Sequence, residues 1–236
     1  HGRRNTLPHA TSKSFQVVNP LPVSAMTDDL PSPHPDAHAV LDFWFGDSLA
    51  HGWPVVPRKP LWFGNDPATD STIRERFGAL VAQAVAGGLR AWEASPPDRL
   101  ALLVLLDQFT RNLHRGRAEA FAGDARACAL ARDTLDRGLD RQLPPIGRVF
   151  VLMPLMHAED LALQDRCIRG FEELLAATPS AHTVARADLE SHLQFARVHR
   201  DIVLRFGRFP HRNAALGRRS TDEETAFLVD GPRFGQ

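Results

Sequence analysis

Ser95-Pro96-Pro97-Asp98-Arg99-Leu100-Ala101-Leu102-Leu103-Val104-Leu105-Leu106-Asp107-Gln108-Phe109-Thr110-Arg111-Asn112 is the stretch that decides the fold. A serine hydroxyl can accept from the free first-turn N–H groups of a helix, and a proline at the first helical position gives up an N–H that would go unpaired anyway. From Leu100 to Leu106 the side chains are apolar on every side of the predicted helix. A helix with no polar face belongs at the centre of a bundle, wrapped by others. The run is far shorter than the roughly 20 apolar residues a membrane span requires.

Outward from this rod the pattern stays helical. On the N-terminal side, Asp36 opens a short helix carrying Leu41, Phe43, Trp44 and Phe45 and stopped by Gly46. A proline-rich loop follows. Either Asp66 or Asp70 can cap the next helix, where Ile73, Phe77, Leu80, Val81, Ala84 and Val85 recur at spacings of three and four. On the C-terminal side, helices are predicted to start at Gly123-Asp124 and at Pro144-Pro145, with a kink or an end at Pro154. Further helices are expected over 159–177 and 183–206, the latter stopped by Gly207, and after the overlapping capping boxes of Ser220, Thr221, Glu223 and Glu224. No segment alternates like a strand. The class is all-α, about eight helices on mostly short loops, hence an antiparallel helix stack of the short tetratricopeptide-like solenoid kind. No self-similarity at a period of about 34 residues marks a repeat array.

Composition narrows the function classes. The chain has 236 residues with Lys+Arg 28 and Asp+Glu 28, so the formal net charge is zero. That argues against bulk electrostatic capture of nucleic acid or of an anionic membrane. Lys13 and Lys59 are the only lysines, and arginine suits forked pairing with carboxylate or phosphate better than lysine does; a GC-rich genome gives the same bias. Cys128 and Cys167 are the only cysteines, so neither a disulfide framework nor a cysteine metal site is implied, and a reduced, cytoplasmic setting is the expectation. Residues 1–35 hold Pro8, Pro20, Pro22, Pro31, Pro33 and Pro35 and no hydrophobic period, predicting a disordered leader over 1–34 and a single helical domain over 35–236. Met26 is the expected natural start.

Three polar clusters stand out. The first, Asp107, Gln108, Arg111, Asn112, His114, Arg115 and Arg117, closes the most apolar helix. Asp107 and Arg111, and Arg111 and Arg115, are four apart on one face, as a helix-end ion pair or as a group facing a ligand. The second is His157, Glu159, Asp160 and Gln164. If one helix runs through it, His157, Asp160 and Gln164 share a face, half of a metal site; the acids also suit a helix N-terminus. No cofactor or metal is expected. The third sets Arg197, Arg200, Arg205, Arg208, Arg212, Arg218 and Arg219 against the single acid Asp201. Within it, Gly207 and Pro210 predict a stiff loop presenting Arg208, His211, Arg212 and Asn213. These arginines either meet an anion or pair internally with Asp107, Asp124, Glu159 and Asp160. His192 and His199, seven apart on one helix, read first as core histidines. There is no G-x-S-x-G elbow, P-loop, H-E-x-x-H or G-x-G-x-x-G.

From about Ala37 onward the chain resembles a bacterial family of uncharacterised proteins, DUF924. The resemblance rests on Val40-Leu41-Asp42-Phe43-Trp44-Phe45-Gly46, on Leu105-Leu106-Asp107-Gln108-Phe109-Thr110-Arg111-Asn112 and on Met153-Pro154-Leu155-Met156-His157-Ala158-Glu159-Asp160. It continues through His199-Arg200-Asp201-Ile202, Arg205-Phe206-Gly207-Arg208-Phe209-Pro210-His211-Arg212-Asn213, Leu216-Gly217-Arg218 and Thr221-Asp222-Glu223-Glu224-Thr225-Ala226-Phe227-Leu228. It implies an all-helical fold similar to tetratricopeptide-type stacks, and no activity. Thr110 stands where the family pattern usually has proline, implying a longer helix here, and Leu152 stands near a usual tyrosine, a residue this chain lacks altogether.

The expected function is binding of a small anionic ligand in a groove where Asp107, Arg111, Asn112, Arg115, His157, Glu159, Arg208, His211, Arg212 and Asn213 converge. The alternatives are an enzyme acting on a phosphorylated or carboxylated metabolite at that site, with His157 or His211 as base, and an interaction scaffold for a protein partner. Nucleic acid ranks low.

Overall fold

In the computed structural model, residues 33–232 and Phe234 are described, and every regular element among them is helical. The expected leader falls almost wholly outside these residues. His34, inside it, already caps the first helix, its Nδ1 accepting from Asp36 N at 3.2 Å.

The apolar rod is built as α5 (Pro96–Leu103), a wide i→i+5 turn (Val104–Phe109) and α6 (Thr110–Leu113), continuous with one another. Ser95 caps it, accepting from Asp98 N at 3.3 Å. Leu100, Leu102, Leu105, Leu106 and Phe109 are fully buried. Around the rod pack α1 (Pro35–Phe45), α4 (Pro67–Val85), α7 (Asp124–Asp136) and α8 (Pro145–Met156). The stack is extended by α9 (Leu161–Ala177) on α8 and by α10 (Thr183–Phe206) on α9. The remaining helices are the short α2 (Ser48–His51) and α3 (Lys59–Phe63), and α11 (Asp222–Asp230) after the arginine-rich loop. Trp62 of α3 anchors that turn by donating from Nε1 to the carbonyl of Trp44 at 2.9 Å and packing on Phe45 and Phe150. No helix of the described residues is long and apolar enough to cross a membrane.

Several local expectations hold in detail. Asp66, not Asp70, caps α4, accepting from Ala68 N at 3.1 Å and Thr69 N at 3.3 Å. Gly207 ends α10 in the left-handed region at φ 69°, where a side chain would be strained. Thr221 and Glu224 form the capping box of α11. The rod does continue through Thr110, whose hydroxyl donates to the carbonyl of Leu106 at 2.8 Å.

Two separate helices meet near Pro154 and Glu159, as expected, and the alternative of one helix running through His157 to Gln164 is excluded. Pro154 lies inside α8, which ends two residues later, and His157 is its C-cap. A break follows before α9, whose N-cap is Asp160, accepting from Leu163 N at 3.0 Å. His157, Asp160 and Gln164 therefore share no helical face. Gln164 turns back to hold the end of α8, donating to the carbonyls of Met156 at 2.6 Å and Ala158 at 2.8 Å.

The wide turn matters because it carries Asp107 and Gln108. Turns of this kind insert an extra residue into a helix and recur at functional sites. The chain leading into α7 crosses it closely: a Cβ on Gly123 would lie 2.1 Å from the carbonyl oxygen of Leu106. Gly123→Ala is expected to lower stability by about 1–3 kcal/mol, since backbone cannot yield as a side chain does. Gly78→Ala, on α4 with nothing within 4 Å, is expected to raise it by about 0.5–1 kcal/mol. Urea midpoints of the two variants check both.

Candidate functional site

A cavity of about 460 Å³ opens between α3, the end of the central rod, the C-terminal end of α8, α10 and the loop that follows it. Trp62, Phe63, Phe121, Met153, Phe195 and Phe234 contribute apolar wall; Gln108, Arg111, Asn112, Arg115, His157 and Arg212 contribute polar wall. Three further histidines, His192, His199 and His211, also face it.

The polar wall is one buried network. The carboxylate of Asp107 faces Nδ1 of His157 with both oxygens, at 2.8 and 3.0 Å, and accepts from Nε2 of Gln108 at 2.6 Å. Arg111 lies 3.3 Å from the same carboxylate and donates to the Asp107 carbonyl at 2.6 Å. Its guanidinium also forks onto Asp124, with bonds of 2.9 and 3.1 Å. Asp124 accepts a further bond from Arg212 at 3.2 Å, and Arg212 donates to the carbonyl of His157 at 3.0 Å. The Arg212 guanidinium carbon lies 4.7 Å from the ring centroid of Phe121 and 4.6 Å from that of Phe209. At the outer side, Arg115 forks onto Asp70 at 2.8 and 3.0 Å, and Asn112 donates to Asp70 at 2.8 Å. At the mouth, Lys59 pairs with Asp188 at 2.5 Å.

Burial and charge set the protonation states. Burial alone would raise the Asp107 carboxyl, but the charges of His157 and Arg111 outweigh it and hold the group well below the usual carboxylate range. Burial works against the charge of Arg111 too, and Asp107 and Asp124 more than restore it. For Arg212, burial and the nearby charge of Arg111 bring the guanidinium down to about 10. Burial pushes His199 and His211 down to about 3, helped by the charges of His157 and Arg212 respectively, and His192 down to about 4. These three imidazoles are neutral at neutral pH.

The three sequence clusters thus meet, and Asp107, Arg111, Asn112, Arg115, His157, His211 and Arg212 surround or support one cavity. Glu159, Arg208 and Asn213 do not line it. Glu159 takes a fork from Arg218 at 2.6 and 2.8 Å and accepts from Phe209 N at 2.8 Å. Arg208 forks onto Glu224 at 2.7 and 2.8 Å, and Asn213 donates to the same carboxylate at 3.2 Å. They fasten the loop that carries His211 and Arg212. The sequence reading missed Trp62, Phe121, Phe195 and Lys59 as wall, and Asp70 as the partner of Arg115. Apolar residues on short turns, such as Trp62 and Phe121, or singly on the outer face of a long helix, such as Phe195, carry no pattern that points to a cavity. Among the described residues, no group of three or more His, Cys, Asp or Glu is placed to hold a metal ion.

Fold and site together define, among the described residues, an all-helical protein with an arginine- and histidine-lined cavity at the end of its central helix. The chain belongs to a family described as bacterial protein of unknown function (DUF924), whose model matches residues 40–232. It is similar to a solved structure from Agrobacterium tumefaciens, titled a protein of unknown function. The identity is 35%, the TM-score 0.67, and the match covers 83% of this chain and 97% of the other. Comparison with curated proteins found no match.

The neutral histidines predict an acid sensitivity. In the unfolded chain they protonate near their ordinary value of 6.5, whereas folded they resist to about 3 or 4. Their contribution to stability is complete above pH 6.5 and is lost as pH falls from there towards 3. Near pH 5 unfolding should take up close to three protons from these groups, up to about 4 kcal/mol per pH unit. Urea midpoints between pH 7.5 and 5 measure this. His192→Phe, which keeps a ring stacked on Phe171, should remove about one proton from the slope.

Proposed function

We propose that this protein binds a small organic anion in the cavity, its negative group directed to Arg111, Arg212 and His157. The observation that carries the reading is the unspent hydrogen-bonding capacity of the two arginines. Each guanidinium has five N–H donors. The bonds to Asp107, Asp124 and the His157 carbonyl leave donors on both, and both side chains line the cavity. Forked donors suit a carboxylate or phosphate, and the cavity falls in the usual range of about 300–1,000 Å³ for ligand sites.

A second reading, an enzyme acting on that anion, is favoured by the Asp107–His157 pair. With Nδ1 engaged by a buried carboxylate, the imidazole is fixed in orientation and Nε2 is the nitrogen left to exchange a proton with a ligand.

The first test is thermal denaturation of the purified protein in a set of small carboxylates and phosphate esters. A ligand at a hundred times its Kd stabilises by about 2.7 kcal/mol, which for a chain of this size is a shift of roughly 5–10 °C. Arg212→Lys keeps a positive charge near Asp124 and loses the fork, and should weaken binding at least about tenfold, a loss of roughly 1.4 kcal/mol. No shift with any anion, or equal shifts in Arg212→Lys, would overturn the reading. For the enzyme reading, an anion that binds is followed by NMR for chemical change. His157→Asn keeps a donor for Asp107 and should bind the anion at least about tenfold more weakly, with no turnover even at saturating anion; unchanged turnover in that variant sinks it.

A further inference from the structure

The charge balance and the walls of the cavity narrow the ligand class, on the assumption that the anion reading above holds. We infer that the cavity takes an amphipathic monocarboxylate, with an aromatic or branched apolar body, and discriminates against phosphate dianions.

The cations around the cavity are matched one for one. Lys59 stands on Asp188 and Arg115 on Asp70. Arg111 and Arg212 share Asp107 and Asp124. These eight charges cancel. The remaining basic side chain at the inner end, His157, stands on Asp107. His192, His199 and His211 supply none, because burial keeps them neutral. With the fixed cations already matched by acids, a second negative charge on a guest goes further uncompensated than the first in a buried site, which is costly. The helix ends act in the same direction: α3 ends at Gly64 and α8 at His157, both at the cavity. Helix C-termini carry partial negative charge and disfavour further anionic charge beside them.

The rest of the cavity asks for an apolar body. Trp62, Phe63, Phe121, Phe195 and Phe234 form most of its apolar wall. Phe63 and Phe195 are 50% and 52% exposed, the kind of apolar surface a bound body would cover. Phe234 stacks on His199 with centroids 3.9 Å apart. A free inorganic anion would leave these rings unused.

Calorimetric titration at pH 7.5 with 3-phenylpropionate, its neutral amide, acetate, phenyl phosphate and inorganic phosphate tests this. The expected order has 3-phenylpropionate at least tenfold tighter than phenyl phosphate, its amide or acetate, and inorganic phosphate without measurable binding. His157→Asn should weaken 3-phenylpropionate at least tenfold and leave the amide unchanged. Phe195→Ser, at the exposed mouth, should weaken 3-phenylpropionate and leave acetate unchanged. Phenyl phosphate or inorganic phosphate binding as tightly as 3-phenylpropionate would overturn the monocarboxylate inference and leave the anion site standing. Amide binding equal to the carboxylate, or no binding by any probe, would overturn both.

Discussion

A carboxylate buried in the apolar centre of the molecule sets the terms for the rest. Asp107 is 2% exposed and sits in the wide turn, directly after the apolar run Leu100–Leu106. An ionised carboxylate there costs several kcal/mol unless it is paired and hydrogen-bonded. His157, Gln108 and Arg111 meet it. Arg111 is itself nearly buried and requires Asp124, and the spare capacity of Asp124 draws in Arg212. Arg212 then holds the carbonyl of His157, at the end of α8. The chain of requirements starts at Asp107 and closes on the residue that faces it. It links the central rod, α7, α8 and the loop after α10, and the cavity lies against it.

Most of the fold was legible because its signals are local. The apolar run over Leu100–Leu106, the caps at Ser95, Asp66 and Thr221, and the stops at Gly46 and Gly207 each act within one turn of helix. The break between α8 and α9 was less legible. Pro154 alone did not locate it, because a proline in the last turn of a helix loses only one hydrogen bond and its helix can finish around it. The wide turn over Val104–Phe109 leaves no pattern in residue spacing at all. It is crossed closely by the chain at Gly123, a contact that tertiary structure alone brings about.

The candidate site was legible as chemistry and not as geometry. The residue types that gather at the cavity's inner end, Asp107, Arg111, His157, His211 and Arg212, were visible as unusual polar groups beside apolar helices. Which of their neighbours join them depends on which way each side chain leaves its helix. Glu159 and Arg208 lie in the same sequence blocks as His157 and Arg212, yet they point into a separate brace with Arg218 and Glu224. His199 read as a core histidine, and it is one, with Nδ1 at 2.7 Å from the carbonyl of Phe195, while another edge of the same ring meets the cavity.

The arginine-rich stretch shows why a local charge count misleads. It carries seven arginines and one acid along the chain, which suggests a strongly positive surface. In the fold the acids come from elsewhere. Arg197 pairs with Glu172, Arg200 with Asp165, Arg205 with Glu223, Arg208 with Glu224 and Arg218 with Glu159. Among the arginines of this stretch, only Arg212 lines the cavity, and it arrives already leaning on Asp124. Potential falls off within about 8–10 Å at physiological salt, so such pairing reduces a positive run to a set of near-neutral forks. What the stretch contributes to the cavity is therefore directed N–H donors held by aromatic rings and carboxylates, and recognition by such donors depends on the shape and charge number of the guest more than on its attraction from a distance.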